Sequence, residues 1–230
     1  MKISKGGIQL YINERSLGLL EDFGDKIFHI LGCGAIGSSA STQLCRMGAD
    51  KFILYDLDRV EIQNIGVSYY VYKDIGKGKV DALKRHLLAI NPDIDVRIEP
   101  GRFSAFLKPL GLEDIIILGF DSMDSRLEAA TAALTKRNKP FALIDGRMGA
   151  EEYHQYVLKN PTLSKYRDTW YSDADAVDEP CNAKATSYCS NMSGAFIANA
   201  VKRLINGEHC PEQFMFTFPG LTLGYTEQIS

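Results

Sequence analysis

A glycine-rich loop follows the first apolar run of the chain. The run from Lys26 to Leu31 leads into Gly32-Cys33-Gly34-Ala35-Ile36-Gly37, and residues with helical character come next. In a strand, loop and helix of this kind, glycines let backbone N–H groups and the helix N-terminus approach a phosphate without an intervening Cβ. Asp56 ends the next apolar run, where a carboxylate can accept hydrogen bonds from a ribose. These residues predict a bound nucleotide, and a glycine turn without a ligand is the alternative.

The segment after Asp56 carries a second group of polar residues that is specific to one family. It reads Asp58-Arg59-Val60-Glu61-Ile62-Gln63-Asn64-Ile65, and Ile75-Gly76-Lys77-Gly78-Lys79 then opens the following helix. The segment resembles the ThiF/MoeB/HesA and ubiquitin-activating family, whose pattern is D-x-D-x-V-E-x-x-N-L followed by D-I-G-x-x-K. The resemblance extends from about Tyr11 to Ile205 and weakens after Gly149. An NAD-dependent oxidoreductase stays open as a less favoured interpretation, since it needs only the glycine loop and Asp56.

The resemblance implies an activity and a role for several residues. Family members use Mg-ATP to convert a carboxylate into an acyl-adenylate, with release of pyrophosphate. Lys79 and Asn64 match the residues that contact the phosphates, and Asp124 in FDSMDSR matches the aspartate that holds magnesium. Asp58 and Glu61 match residues that order the loop. Taken singly, a lysine that opens a helix is commonly a solvated charge, and an aspartate after a strand is commonly a helix cap.

One position departs from the family pattern. Where relatives read N-L-x-R-Q, this chain reads Asn64-Ile65-Gly66-Val67-Ser68, so Val67 replaces an arginine that touches the phosphates. Arg147, in the segment DGRMG, is a candidate substitute. The alternative is a catalytically silent scaffold that binds a nucleotide without efficient turnover.

The resemblance also implies functional roles for two further residues. Relatives commonly form homodimers in which an arginine near the amino terminus reaches the partner's ATP, and Arg15 is the positional match. Some relatives pass the adenylate to a thiol, and Cys181 lies in the corresponding region. An ordinary surface arginine and an inert cysteine are the alternatives. His154 and His209 are expected to be structural or surface residues, because neither lies in a motif that uses an imidazole.

The composition excludes several classes of protein. The net charge of −3 is too small to indicate a partner, and no basic stripe with interleaved aromatic residues favours nucleic-acid binding. No apolar run is long enough to span a bilayer, and the amino terminus lacks a signal-peptide core, so we expect a soluble cytoplasmic protein without membrane association. Five irregularly spaced cysteines with no CxxC pair indicate reduced thiols rather than disulfides or a zinc site.

The predicted elements place these residues on an α/β fold. Apolar runs end at Leu31, Asp56, Pro100, Phe120 and Asp145, and helical segments lie between several of them. This alternation predicts a Rossmann-like, doubly wound, mostly parallel sheet with helices on both faces. A half-exposed strand at 153–159, a loop at 160–180, a helix at 190–205 and a terminal hairpin form an extra C-terminal β/α portion.

We therefore expect one adenylation domain over residues 1–230. Residues 26–145 are its nucleotide-binding core, and residues 146–230 cover the substrate side and contribute to a homodimer. Through the resemblance, the expected substrate is the C-terminus of a ubiquitin-like or sulfur-carrier protein, or a peptide, with ATP and Mg2+ as the cofactors.

Overall fold

The strands form one mixed sheet. The computed structural model describes residues 14–16, 18–19, 22–135, 138–172 and 185–226. Its eight strands lie in the order β3-β2-β1-β4-β5-β6-β7-β8. Strands β1 to β5 run parallel to one another, and β6, β7 and β8 each pair antiparallel with the strand before them. The strands are β1 Ile27–Leu31, β2 Lys51–Asp56, β3 Asp95–Pro100, β4 Asp114–Leu118, β5 Ala142–Gly149, β6 Glu152–Lys159, β7 Gln213–Thr217 and β8 Thr222–Thr226.

Helices cover both faces of the sheet and bury two apolar cores. The helices are α1 Ala35–Arg46, α2 Ile62–Ile65, α3 Lys79–Ile90, α4 Met123–Leu134, α5 Leu163–Arg167 and α6 Ser187–Ile205, with 3-10 helices at Glu14–Ser16 and Tyr72–Asp74. The first core lies between the sheet and α1, α3 and α6, and the second lies under α4 and α5. Across the ranges given above, no helix combines the length and apolar character that a bilayer-spanning segment needs.

The strand order creates a crevice beside the glycine loop. Strand β1 pairs with β2 on one side and with β4 on the other. The chain therefore continues from β1 toward one edge of the sheet, through β2, and from β4 toward the opposite edge, through β5. In open α/β sheets a ligand site forms at such a point, outside the carboxyl ends of the strands. Because the glycine loop follows β1 directly, the fold places it in this crevice.

The predicted fold class is confirmed, and the C-terminal portion shows where local patterns were insufficient. The predicted hairpin is present as β7 and β8, and it extends the main sheet. Strand β6 was expected to be half-exposed, but it lies between β5 and β7 and has most of its side chains buried. The interval 160–180, expected to be a loop, contains the short helix α5. Helix α4 begins at Met123, so Asp124 lies in its first turn, and Ser122 caps it.

Candidate functional site

The glycines of the loop have different roles. Gly32 has φ +89°, and a Cβ there would come within 2.6 Å of the backbone of Gly119. A Cβ on Gly37 would clash with the carbonyl oxygen of Gly32, so packing of the loop between β1 and β4 requires both glycines. A Cβ on Gly34 would meet no atom within 4 Å, although Gly34 lines the cavity next to the loop. Gly34 therefore leaves open a surface that a ligand can approach closely.

That cavity gathers most of the predicted site. It has a volume of about 1080 Å³ and extends from the glycine loop to β6. Every residue predicted to bind the cofactor lines it except Gly37: Gly32, Gly34, Ala35, Ile36, Asp56, Asp58, Asn64 and Lys79. Residues from separate parts of the sequence thus come together at one edge of the sheet.

Asp56 holds the glycine loop and the next loop in place. Its Oδ2 accepts a hydrogen bond from the Cys33 N–H at 2.7 Å, and its Oδ1 accepts one from the Asp58 N–H at 2.8 Å. Burial raises the pKa of Asp56, against the lowering effect of Lys79 and of these N–H groups. Each carboxylate oxygen accepts one described hydrogen bond and retains a lone pair that can accept another.

Lys79 is the central cation at this end of the cavity. Its Nζ donates to Asp58 Oδ2 at 2.7 Å, and its backbone N–H donates to the Asp58 carbonyl oxygen at 2.9 Å. Burial acts to lower the pKa of Lys79, but Asp56, Asp58 and Asp121 outweigh it and raise the pKa above its ordinary value. Lys79 therefore stays protonated, as a phosphate-binding lysine must.

Tyr70 connects the glycine loop to the start of α3. Its buried hydroxyl lies 2.5 Å from the Cys33 carbonyl oxygen and 3.3 Å from the Lys79 carbonyl oxygen, and it can donate a hydrogen bond to either of them. Burial raises the pKa of Tyr70, so the hydroxyl remains a donor. This role of Tyr70 does not follow from the sequence, because only the tertiary structure brings its hydroxyl to both segments.

Asn64 and Val67 lie on the adjoining wall of the cavity. Asn64 Oδ1 accepts a hydrogen bond from the Glu61 N–H at 2.8 Å, which caps α2 and leaves the amide NH2 group to donate elsewhere. Val67 also lines the cavity, so the position of the missing family arginine faces the site. An apolar side chain stands there instead of a cation.

The two aspartates of FDSMDSR face different spaces. Asp124 is exposed and lines a smaller neighbouring cavity of about 350 Å³. Asp121 lines the main cavity and is close enough to Lys79 to raise the pKa of that lysine. The family resemblance points to Asp124 as the magnesium ligand, whereas Asp121 follows β4 more closely, at the carboxyl edge where ligands bind.

The available carboxylates fit a magnesium ion that arrives with a nucleotide. Such an ion usually takes one or two protein carboxylates and completes its shell with phosphate oxygens and water. In the part of the chain that the structure describes, no three His, Cys, Asp or Glu side chains cluster as in a dedicated metal cage. Asp121, exposed at the cavity, offers one carboxylate of the required kind.

The far end of the cavity contains a buried ionic network. Asp145 accepts hydrogen bonds from Arg126 Nη1, from Arg147 Nε at 3.0 Å and Nη2 at 2.7 Å, and from the Tyr166 hydroxyl at 3.2 Å. Arg147 Nη1 also donates to the Thr169 carbonyl oxygen at 2.7 Å. Arg147, the candidate substitute for the missing arginine, therefore lines the cavity with a guanidinium already held by protein acceptors.

The remaining predicted residues differ in where they lie relative to the cavity. Arg15 is exposed on the first 3-10 helix and does not line the cavity of its own chain. Cys181 lies outside the described residues, and none of the cysteines inside them lines the cavity. His154, expected to be structural or on the surface, does line the cavity. Burial, aided by Arg147 and opposed by Glu152, lowers the pKa of His154.

Sequence comparisons identify relatives over most of the chain. A family model described as ThiF family matches residues 12–228. Ubiquitin-like modifier-activating enzyme 5 of Drosophila ananassae is 27% identical over 204 residues, which cover 79% of this chain and 51% of the relative. The same enzyme of Caenorhabditis elegans is 25% identical, over 79% of this chain and 48% of the relative. The chain thus spans about half the length of the curated relatives it matches.

Solved structures share the fold at lower sequence identity. E. coli MccB with MccA superposes with a TM-score of 0.70 and 16% identity, over 96% of this chain and 72% of that one. E. coli MccB with ATP gives 0.65 and 16%, over 91% and 65% of the two chains. PaaA gives 0.65 and 22%, over 88% and 64%. At these identities the likeness establishes the fold.

Proposed function

This chain belongs to the ThiF family, and from that premise we propose that it transfers the adenylyl group of ATP to a carboxylate. The products are an acyl-adenylate and pyrophosphate. The observation that carries the proposal is the opening at Gly34, where a Cβ would meet nothing, in a cavity also lined by Asn64 and Lys79. An open loop beside an amide donor and a protonated amine suits a polyphosphate.

The chain's own residues have separable tasks in this reaction. The loop N–H groups and Gly34 seat the phosphates, and Asp56 accepts hydrogen bonds from the ribose. Lys79 exchanges its hydrogen bond with Asp58 for one with a phosphate oxygen, and it compensates the charge that develops as pyrophosphate leaves. The Asn64 amide adds a neutral donor on the adjoining wall.

We assign the magnesium-binding role to an aspartate after β4. Asp124 is the family match, but Asp121 faces the main cavity and lies nearer to Lys79. When bound, the ion neutralises phosphate charge and increases the electrophilicity of the phosphorus. Between the two residues, the geometry favours Asp121.

The proposed substrate is a polypeptide with a free C-terminal carboxylate, from a ubiquitin-like or sulfur-carrier protein or from a peptide. Two relatives support this class by name: the modifier-activating enzymes act on ubiquitin-like proteins, and MccB has been crystallised with MccA. The cavity continues past the glycine loop to β6, which provides room beyond a nucleotide. Action of Arg15 across a homodimer and thioester formation at Cys181 remain proposals of the same kind.

ATP–pyrophosphate exchange tests the activity. We expect incorporation of labelled pyrophosphate into ATP only when Mg2+ and a polypeptide carboxylate are present, and we expect ATP to raise the melting temperature more than NAD does. A larger shift with NAD would support the oxidoreductase interpretation. The presence of Val67 in the cavity favours one rival, a silent nucleotide-binding scaffold, which predicts a shift with ATP but no exchange with any carboxylate.

A further inference from the structure

His154 on β6 presents an imidazole to the cavity that the adenylation step does not use. It lines the cavity together with Glu152, and it is half-buried. Among the described residues, neither of its ring nitrogens has a hydrogen-bond partner. Arg147, directly opposite on β5, differs in this respect, because Asp145 and Thr169 hold its guanidinium. A ring nitrogen of His154 is therefore available to a ligand in the cavity.

The imidazole of His154 is in the form that accepts a proton. Burial lowers the pKa of His154, Glu152 opposes this effect, and Arg147 adds to it. Because the ordinary pKa of histidine is about 6.5, a lowered value keeps the ring neutral at pH 7. One nitrogen of a neutral imidazole carries no hydrogen and can act as a general base.

Glu152 supplies a second acceptor beside His154. The two residues lie two positions apart on β6, so their side chains share one face of the sheet. Glu152 is exposed, and no cation in the described part of the chain forms an ion pair with it. Residues with this spacing are about 7 Å apart along a strand, and a hydrogen bond is about 3 Å long. One atom between the two side chains can therefore donate to both.

Two adjacent acceptors match the chemistry of a primary amine. The nitrogen of such an amine has two hydrogens, one for each acceptor, and a lone pair that remains free to attack a carbonyl carbon. A thiol has one S–H and reacts as the thiolate, so it has no use for the second acceptor. The pair of His154 and Glu152 therefore favours an amine over a thiol as the nucleophile.

The acyl group enters the cavity on the side away from the pyrophosphate. In a displacement at phosphorus the attacking and leaving oxygens lie roughly in line. Lys79 and Asn64, which we assign to the phosphates, line the glycine-loop end of the cavity, and β5 and β6 line the other end. The carbonyl carbon of the acyl-adenylate therefore faces the part of the cavity that contains His154.

We propose that this chain joins its acyl-adenylate to a primary amine, with His154 as the general base and Glu152 as the group that orients the amine. This inference rests on the proposed adenylation. The amine nitrogen forms a bond to the carbonyl carbon, and the bond between that carbon and the AMP oxygen breaks. AMP leaves with the electron pair of that bond, and His154 takes the proton that the nitrogen loses. The products are an amide and AMP, and the imidazolium then returns its proton to the solvent.

Amide formation measured against adenylation tests the proposal. The carboxylate probe is an N-acetylated random decapeptide library that lacks acidic residues, lysine and cysteine, and the amine probe is n-propylamine. Mass spectrometry detects the peptide propylamide, and ATP–pyrophosphate exchange without the amine measures adenylation alone. We expect wild type to form the propylamide. His154→Gln should lower the ratio of propylamide formation to exchange about a hundredfold, as loss of a general base typically does.

Two neighbouring glutamates provide a matched comparison. Glu152→Ala removes one of the two acceptors and should lower the same ratio about tenfold. Glu151→Ala is the control, because Glu151 does not line the cavity and accepts a hydrogen bond from the Tyr188 hydroxyl, so the ratio should stay at the wild-type value. An ATP-induced rise in melting temperature verifies the nucleotide site in each variant. If His154→Gln does not fold, Glu152→Ala, at an exposed position, decides the test.

The possible outcomes distinguish this inference from the proposed function. An unchanged ratio in His154→Gln and Glu152→Ala, or equal losses in Glu152→Ala and Glu151→Ala, would overturn the role of the pair while adenylation stands. AMP release that does not depend on propylamine would identify water as the acceptor, and faster product formation with 1-propanethiol would identify a thiol. Either result would overturn the amine. No exchange with the library would overturn the proposed function, and this inference with it.

Discussion

The two ends of the cavity use the same kinds of charged side chain in opposite proportions. At the glycine-loop end, Asp56, Asp58 and Asp121 surround the single amine of Lys79. At the β5 end, Arg126 and Arg147 share the single carboxylate of Asp145. The first end has more carboxylates than cations, which suits a cationic Mg2+ beside the lysine, whereas in the buried network of the second end two guanidiniums share one carboxylate.

The two ends also differ in how many hydrogen bonds their cations already make within the protein. Lys79 makes one described side-chain hydrogen bond, to an aspartate whose side chain is 53% exposed. The two guanidiniums donate to Asp145 and also to the carbonyl oxygens of Leu118, Phe120, Gly146 and Thr169. A cation that retains free donors can bind a ligand, whereas one with its donors occupied fixes the structure. We therefore expect substitutions to affect activity at one end and stability at the other.

The largest expected effect is on stability, at the β5 end. Asp145→Asn leaves two buried guanidiniums without a counter-charge and should lower the free energy of unfolding by about 3–5 kcal/mol, as loss of one partner from a buried ion pair typically does. The control is Asp58→Asn, which removes a half-exposed partner of Lys79 and should cost about 1 kcal/mol or less. Urea unfolding measures both. Equal losses would contradict the contrast between the two ends.

Lys79→Ala should reverse this pattern, with a large effect on activity. Loss of charge compensation at the leaving pyrophosphate should lower kcat at least about a hundredfold. Lys73→Ala, an exposed cation in the same segment, is the control and should remain close to wild type. Asp121→Asn and Asp124→Asn, compared in the same assay, identify the magnesium ligand. A loss confined to Asp124→Asn would support the family match over the geometry.

Tyr70→Phe should have an intermediate effect that is specific to the nucleotide end. It removes the donor shared by the Cys33 and Lys79 carbonyl oxygens, so the KM for ATP should rise about fivefold, which corresponds to about 1 kcal/mol. Tyr55→Phe is the control, because its buried hydroxyl contacts His29 and the Leu107 N–H on the other side of the sheet. If both variants lose stability and neither changes the KM for ATP, Tyr70 has only a structural role.

The smallest expected effect is a pH dependence at the β5 end. Because the pKa of His154 is lowered in the folded state, the unfolded chain binds more protons as pH falls below about 6.5, and folding loses stability. His154→Gln should therefore lose less stability than wild type between pH 7.5 and 5.5. The difference should be well below the limit of about 1.4 kcal/mol per pH unit for one proton. An unchanged pH dependence of unfolding in His154→Gln would contradict this assignment.

The sequence determined much of the nucleotide end. The glycine loop and Asp56 were identified from residue types and spacing, and Asn64 and Lys79 through the family resemblance; the structure places them in one cavity. Such a prediction succeeds because the constraints are local: a positive φ at Gly32, alternating strands and helices, and polar residues at strand ends act over short stretches of chain.

Tertiary structure decided the rest, because burial and hydrogen-bond saturation depend on which strands become neighbours. Strand β6 is buried because β5 and β7 flank it, which also brings His154 into the cavity. The packing of α4 and α5 against β5 adds Arg126 and Tyr166 to the Asp145–Arg147 pair within β5, and the start of α4 at Met123 turns Asp121 rather than Asp124 toward Lys79. These contacts do not follow from spacing along the chain, since each joins residues from separate elements or depends on how a helix is oriented.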